Sequence, residues 1–454
     1  MKIFALYAHI TEKPLIFRKG CAKMLLRNEK GGPNMTTEKY SYYVNVLRDE
    51  LVPAMGCTEP IAIAYAAARA RAALGTMPES CEIAVSGNII KNAKSVVVPH
   101  TRGMKGIGAA LAAGIVAGNP DARLEVISHV TEEQIAEIHR LVKTLPIKIT
   151  LAESEYPFDI GVRLFAGGNS SFVRITNRHT NVVLVERNGE VLYEGEINEA
   201  IEAKKRELSV EDIFTFANEV DIKDIKPIIK RQIDYNMAIA EEGIRGDWGA
   251  GVGRVYLSAY SPDIATRAKA YAAAGSDARM NGCELPVIIN SGSGNQGMTA
   301  SVPVIIYWRE LGLSEEILYR ALCLSNLITI HVKHGIGTLS AYCGAVIAGA
   351  GAGCGIAYLY GGNYSDVAHT LVNALAVDSG LICDGAKASC AAKIATAVEN
   401  GILGYNLHRA GKQFYGGDGI IKKGVENTIT SVARLARDGM TVTDREILNI
   451  MLDE

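Results

Sequence analysis

From 160 to 176 the chain reads Ile-Gly-Val-Arg-Leu-Phe-Ala-Gly-Gly-Asn-Ser-Ser-Phe-Val-Arg-Ile-Thr. Two short apolar segments, Ile160 to Phe165 and Phe172 to Thr176, flank a polar turn. Segments of this length, rich in Val and Ile and bounded by turn residues, are strand signals. Outward from them the same pattern recurs at Cys81 to Val85, Leu124 to Val130, Ile147 to Leu151 and Val182 to Glu186. Two helical stretches interrupt it, Gly106 to Ala117 and Thr131 to Thr144. The pattern predicts an α+β N-terminal domain. Past the charged stretch Glu199 to Glu207 the strands largely stop, and Ala-rich or amphipathic helical segments separated by Gly, Asn and Asp turns run to the C-terminus. A mostly α-helical C-terminal domain is therefore expected. The boundaries read as 35–200 and 205–454, after an N-terminal extension, 1–34. That extension lacks periodicity and ends in Gly31-Gly32-Pro33-Asn34, directly before Met35 and a helical segment from Thr36 to Leu51. It is expected to be disordered, or to reflect a start codon placed too early, with Met35 as the true start.

Composition narrows the function. Lys+Arg 47 against Asp+Glu 49 leaves a net charge of -2, and no block of like charge could follow a phosphate backbone or a lipid surface. Nucleic acid and membrane are excluded as expected partners. The uncharged stretch Gly335 to Tyr364 is long enough to span a bilayer. It is studded with glycine rather than Leu, so it reads as a buried helix beside a polar site. Nine cysteines, odd in number, irregularly spaced and without a secretory signal, argue for thiols in a reducing, cytoplasmic compartment. Metal binding or catalysis is then the use to test.

Cys383 and Cys390 stand seven positions apart in Leu-Ile-Cys-Asp-Gly-Ala-Lys-Ala-Ser-Cys. On one unbroken helix they would lie roughly 10.5 Å apart along the axis, far for a shared cluster. Asp384-Gly385 is a turn signal, so one helix can end at Cys383 and another start near Ser389, folding the thiols together. Upstream, Cys343 lies in Ser-Ala-Tyr-Cys-Gly-Ala, whose small residues permit close approach. Three thiolates on a four-iron cluster would leave one iron open for substrate, whereas structural sites usually take four protein ligands. Spacing alone leaves zinc open as well. Cys21, Cys81, Cys323 and Cys354 read as small buried hydrophobes.

A second constellation is Met55-Gly56-Cys57-Thr58-Glu59-Pro60, followed by the helical Ile61 to Leu74. Thr58 is the expected N-cap and Pro60 fits the first turn. Cys57 would then sit beside a helix N-terminus, which favours thiolate. A third is Asn290-Ser291-Gly292-Ser293-Gly294-Asn295-Gln296-Gly297, where bare backbone N–H groups with Ser293, Asn295 and Gln296 could cradle a carboxylate. It matches no nucleotide-binding pattern. Polar companions are Asn88, Lys91, Asn92, His100, His331 and His334, of which His334 is the preferred functional histidine.

These motifs, at 55–60, 86–92 and 291–297, together with Cys343, Cys383, Cys390 and the closing 439–444 stretch, resemble the L-cysteine desulfidase family, over about residue 36 to the end. That family is related to the iron-sulfur L-serine dehydratases, whose α+β then all-α organisation is similar. The resemblance implies a [4Fe-4S] cluster on Cys343, Cys383 and Cys390, with Cys57 the catalytic thiol. It implies a carbon–sulfur lyase that takes L-cysteine to pyruvate, ammonia and hydrogen sulfide. Cys57 and His334 are then the expected catalytic residues, and Thr58, Asn88, Asn92, Ser293, Asn295 and Gln296 the substrate-binding ones. The chain ends Leu452-Asp453-Glu454, without the terminal cysteine that the related dehydratases can carry. Alternatives are L-serine dehydration by the same machinery, a pyridoxal-phosphate eliminase using Lys269, and a non-catalytic iron-sulfur sensor. The expected partner is a small amino acid, and a homodimer is left open.

Overall fold

The computed structural model describes residues 35–197 and 208–453. The 1–34 extension and the whole charged stretch, Glu199 to Glu207, lie outside them. An α+β N-terminal region is followed by a mostly helical one, as the segment pattern predicts.

The first region is built on a six-stranded sheet of β2 (Ser80–Val85), β3 (Ile147–Leu151), β4 (Asp159–Ala166), β5 (Asn169–Thr176), β6 (Val182–Arg187) and β7 (Glu190–Glu194), in the order β3-β2-β4-β5-β6-β7. The opening hairpin sets its register: β4 and β5 pair from Asp159↔Thr176 to Ala166↔Asn169. Gly167 and Gly168 form the two-residue turn with φ of 54° and 77°, the left-handed backbone that lets a tight turn follow the twist of its strands. β2 and β3 run parallel, so the chain crosses over between them through the Gly106–Ala117 and Glu132–Thr144 helices. The second helix begins at a full capping box of Thr131 and Gln134. The Thr58–Leu74 helix packs on β4, β5 and β6, while β3 and β7 are largely exposed.

One expected strand is absent. Pro120–Glu125 is a 3-10 helix, and the apolar residues from Leu124 to Ile127 pack inward instead of pairing with a neighbour. Asn119 accepts from the Asp121 N–H and Pro120 follows it, so turn chemistry overrides the apolar run. β7 lies beyond the expected strands.

In the second region the Gly344–Leu359 helix is the axis, buried from Ala345 to Leu359. Around it pack the Gly294–Leu311, Glu315–Ile336, Tyr364–Asp378 and Cys390–Arg409 helices. Of the uncharged stretch only Gly344–Leu359 is a core helix, with loops on either side of it, and among the described residues no helix is long and apolar enough to cross a membrane. At its crossing with Cys390–Arg409, a Cβ on Gly353 would lie 2.4 Å from the Gly401 carbonyl oxygen. Only glycine permits that approach.

Two features tie the regions together. β1 (Pro53–Ala54) pairs antiparallel with β8 (Val287–Ile288). The C-terminal helix, Thr441–Leu452, returns to pack on the Gly87–Ala93 helix, where buried Lys91 pairs with Asp444.

Candidate active site

Four helices begin at one cavity of about 100 Å³. Cys57 is the N-cap of Thr58–Leu74, Ser293 of Gly294–Leu311 and Cys343 of Gly344–Leu359, and Cys390 is the first residue of Cys390–Arg409. All four line the cavity, together with Cys383. Each helix start presents backbone N–H groups and the positive end of its dipole, so the convergence favours anionic contents.

The thiols are placed by backbone pairing. Tyr342 and Ile382 form an antiparallel bridge. On either side of it the Cys343 N–H donates to Leu381 O at 3.1 Å and the Cys383 N–H to Ala341 O at 2.6 Å, which sets Cys343 and Cys383 on the same face of the pair, diagonal to one another. The preceding helix ends at Asp378, short of Cys383, and Ser389 is the N-cap of the next. Between them Gly385, at φ 95°, lies so close to Lys91 that a Cβ would stand 2.2 Å from the Lys91 carbonyl oxygen. The turn expected at Asp384-Gly385 thus folds Cys390 back toward Cys383 and seats the loop on the α+β region.

All three cysteines are free thiols. Burial, reinforced by the neighbouring Cys383 and Cys390, pushes Cys343 up to about 12, and Cys390 is raised by burial too. Such thiols shed their protons together only when positive charge enters among them. Among the described residues no group of three or more His, Cys, Asp or Glu side chains is placed to hold a metal ion. A cluster presents its irons at separate corners, so its ligand sulfurs stand farther apart than the donors of one ion.

Cys57 corrects the expectation of a resting thiolate. It is 3% exposed and packs with Val96 and Met280 against Ala386 and Cys390. Burial and the Glu59 carboxylate drive its pKa well above the ordinary value, against the pull of Arg279. The thiol therefore keeps its proton and donates to Glu59 Oε2 at 3.1 Å. Thr58 is the first helical residue rather than the N-cap, and its hydroxyl donates to the same oxygen at 3.1 Å. Asn92 Nδ2 donates to Glu59 Oε1 at 3.2 Å. Burial opposes a charge on Glu59, but His179 and Cys57 outweigh it and hold the carboxyl at about 2. His179 Nε2 stands 3.8 Å from Glu59 Oε1, an ion-pair distance, with no hydrogen-bond partner.

Of the other expected residues, Ser293, Asn295 and Gln296 line the cavity. The Ser293 hydroxyl caps the Gln296 N–H, and Asn295 Oδ1 accepts from Arg279 at 3.0 Å. Asn88 and His334 do not line it. Asn88 lies on the Gly87–Ala93 helix with its Oδ1 buried and unpartnered. His334 lines a neighbouring vestibule with Asp49, Glu50 and Arg178, which shares His179, Ser291, Gly292, Lys333 and Thr338 with the cavity. His100 contacts Glu284 and His331 contacts Glu426, both outside the cavity. Lys269 pairs with Glu399.

Glu59, His179, Arg279 and Lys333 belong to the site without having been singled out. Burial brings the Lys333 ammonium down to about 8, with Cys383 and Cys343 working the other way. Glu59 lay inside a quoted motif. Arg279 lies in the last turn of its helix, a common place for a basic residue, and only the fold carries His179, from the loop after β5, to the cavity.

The profile of the serine dehydratase alpha chain family matches residues 121–449. A UPF0597 protein of Desulfitobacterium hafniense is 55% identical over 418 residues, 91% of this chain and 97% of that protein. One from Lachnoclostridium phytofermentans is 51% identical over 416 residues, 91% and 100% of the two chains. Another, from Treponema denticola, is 44% identical over 430 residues, 93% and 100%.

Proposed function

We propose, for a chain that belongs to the serine dehydratase alpha chain family and has UPF0597 proteins among its relatives, a β-eliminating lyase acting on L-cysteine. The observation that carries the reading is the convergence of three free thiols and four helix starts on one cavity. The donor set fits a [4Fe-4S] cluster held by Cys343, Cys383 and Cys390. The sulfurs come from two paired loops and a helix start, and Lys333, Lys387 and Lys393 lie near enough to offset thiolate charge. Bound there, such a cluster supplies a Lewis acid, through the iron without a protein ligand, that stabilises a departing sulfide.

The chain's own residues do the rest. The loop from Asn290 to Gly297 orients the carboxylate end of the substrate. Cys57 is the group we assign to the proton at Cα. Its resting thiol must first pass its proton to Glu59 Oε2, the acceptor 3.1 Å away, a transfer that the positive field of Arg279 favours and the low pKa of Glu59 opposes. With the Cα–H and Cβ–S bonds broken, sulfide and 2-aminoacrylate remain, and the latter hydrolyses to pyruvate and ammonia. Cys57, Gln296 and Lys333 are buried where they line the cavity, which limits water around them during these steps. Proteins of this chemistry work in reducing compartments, so we assign the cytoplasm. The proposed organisation is an α+β domain over 35–200 and a helical domain over 205–454.

The family's description favours a second reading, L-serine dehydration. Anaerobic kinetics decide between them. The desulfidase reading expects kcat/KM for L-cysteine to exceed that for L-serine, with one sulfide per pyruvate. A preference for L-serine replaces the substrate assignment, and turnover of neither amino acid sinks the lyase.

A further inference from the structure

The cavity holds a cation whose hydrogen-bonding capacity is mostly unspent. Arg279 lies in the last turn of the Ile264–Met280 helix and is 2% exposed. Nη1 donates to Asn295 Oδ1 at 3.0 Å, while Nε and Nη2 are buried without a partner. Those two nitrogens form one edge of the guanidinium, the parallel pair of donors that matches the two oxygens of a carboxylate. Buried donors left unpaired are costly, so the arrangement calls for a ligand that repays them.

The surroundings preserve this edge. A Cβ on Gly294 would lie 2.4 Å from Arg279 Nε and 2.7 Å from its Cζ, so the guanidinium rests against bare backbone. Asn295, the next residue, fixes the opposite nitrogen. Glu59, the carboxylate of the same cavity, is engaged by Cys57, Thr58 and Asn92. Gln296 Oε1 is likewise buried and unpartnered, an acceptor suited to an ammonium group.

We propose that Arg279 is the receptor for the α-carboxylate of the substrate, held through Nε and Nη2, with Asn295 setting the plane of the guanidinium. The proposal deepens the lyase reading and rests on it, because the carboxylate is the part that L-cysteine and L-serine share. The glycine-rich loop then serves chiefly to seat Arg279.

The test uses the holoprotein, purified without oxygen and titrated calorimetrically with L-alanine, which has the carboxylate and ammonium but no leaving group. L-alanine should bind, and L-alaninamide, which lacks the carboxylate, should bind at least about 30-fold more weakly. Arg279→Gln should weaken L-alanine by about 30-fold or more with iron content unchanged, and Arg279→Lys should recover part of the affinity. Gly294→Ala, which leaves the arginine in the chain but pushes on Nε, should weaken L-alanine in the same direction and guards against a misfolded Arg279 variant. Equal binding of L-alanine and its amide, unchanged affinity in Arg279→Gln or Gly294→Ala, or loss of iron in Arg279→Gln would each overturn the proposal. Arg279-dependent binding without turnover of L-cysteine or L-serine would keep the receptor and remove the lyase. Turnover with Arg279-independent binding would do the reverse.

Discussion

Cys57 sits in two opposing fields. The helix start behind it favours thiolate by roughly 0.3–1 kcal/mol in ordinary settings, while burial and the Glu59 carboxylate favour thiol and win. The motif around Cys57 was legible in the sequence, but its protonation state was not, because burial is a property of the assembled cavity. Arg279 and His179 were hidden for a related reason: each looks unremarkable in its own segment, and only the fold makes it part of a site. Cys57→Ser should retain iron and lose L-cysteine turnover by at least about 100-fold, the lower range for a proton-transfer group. Loss of iron instead would make Cys57 a ligand. Asp378, 1% exposed, offers a test of electrostatics away from the thiols, since burial raises its carboxyl to about 7. Between its ordinary pKa and that value the folded state holds a proton that the unfolded state has released. Stability therefore falls as pH rises through this window and stays lowered above it. Asp378→Asn should stabilise at pH 8 by up to about 4 kcal/mol, at about 1.36 kcal/mol per pKa unit, and change little at pH 4. Denaturant melts showing the same difference at both pH values would contradict this.

At the scale of elements, turns read better than caps. Thr58, the one cap expected, is a first helical residue, while Thr36 and Thr131, read only as the first residues of helical stretches, are caps. The Gly167-Gly168 turn closes its hairpin, and Asp384-Gly385 turns the chain between Cys383 and Cys390. The failure at Leu124 to Val130 has the same origin, for Asn119-Pro120 dictated a turn that an apolar count ignores. Nor could local pattern show the C-terminal helix crossing back to the first region. There Lys91, with its side chain 1% exposed, has Asp444 as its ion-pair partner, and the Lys91 backbone supports Gly385. Asp444→Ala leaves that ammonium buried and uncompensated, which should cost about 3 kcal/mol of unfolding free energy. The same change should loosen the cysteine loop, so iron should be released to a chelator faster than from the wild type. A variant as stable as the wild type would show that Lys91 finds another partner.

In the whole molecule, the division into a sheet-bearing and a helical region was visible from where Val- and Ile-rich segments give way to Ala-rich ones. The place where the two regions meet was not. Cys57, Glu59, Asn92 and His179 come from the first region, and Arg279, Ser293, Lys333 and the three remaining thiols from the second. Neither half holds the whole set, which is why separate motifs could be read while their geometry could not. Everything proposed for function turns on whether the thiols of the second region hold iron. The most direct measurement is iron and acid-labile sulfide per chain after purification without oxygen, in the wild type and in Cys343→Ser, Cys383→Ser and Cys390→Ser. The account predicts about four of each per wild-type chain and loss in every single variant. Colourless, iron-free wild-type protein that fully retains L-cysteine turnover would contradict it.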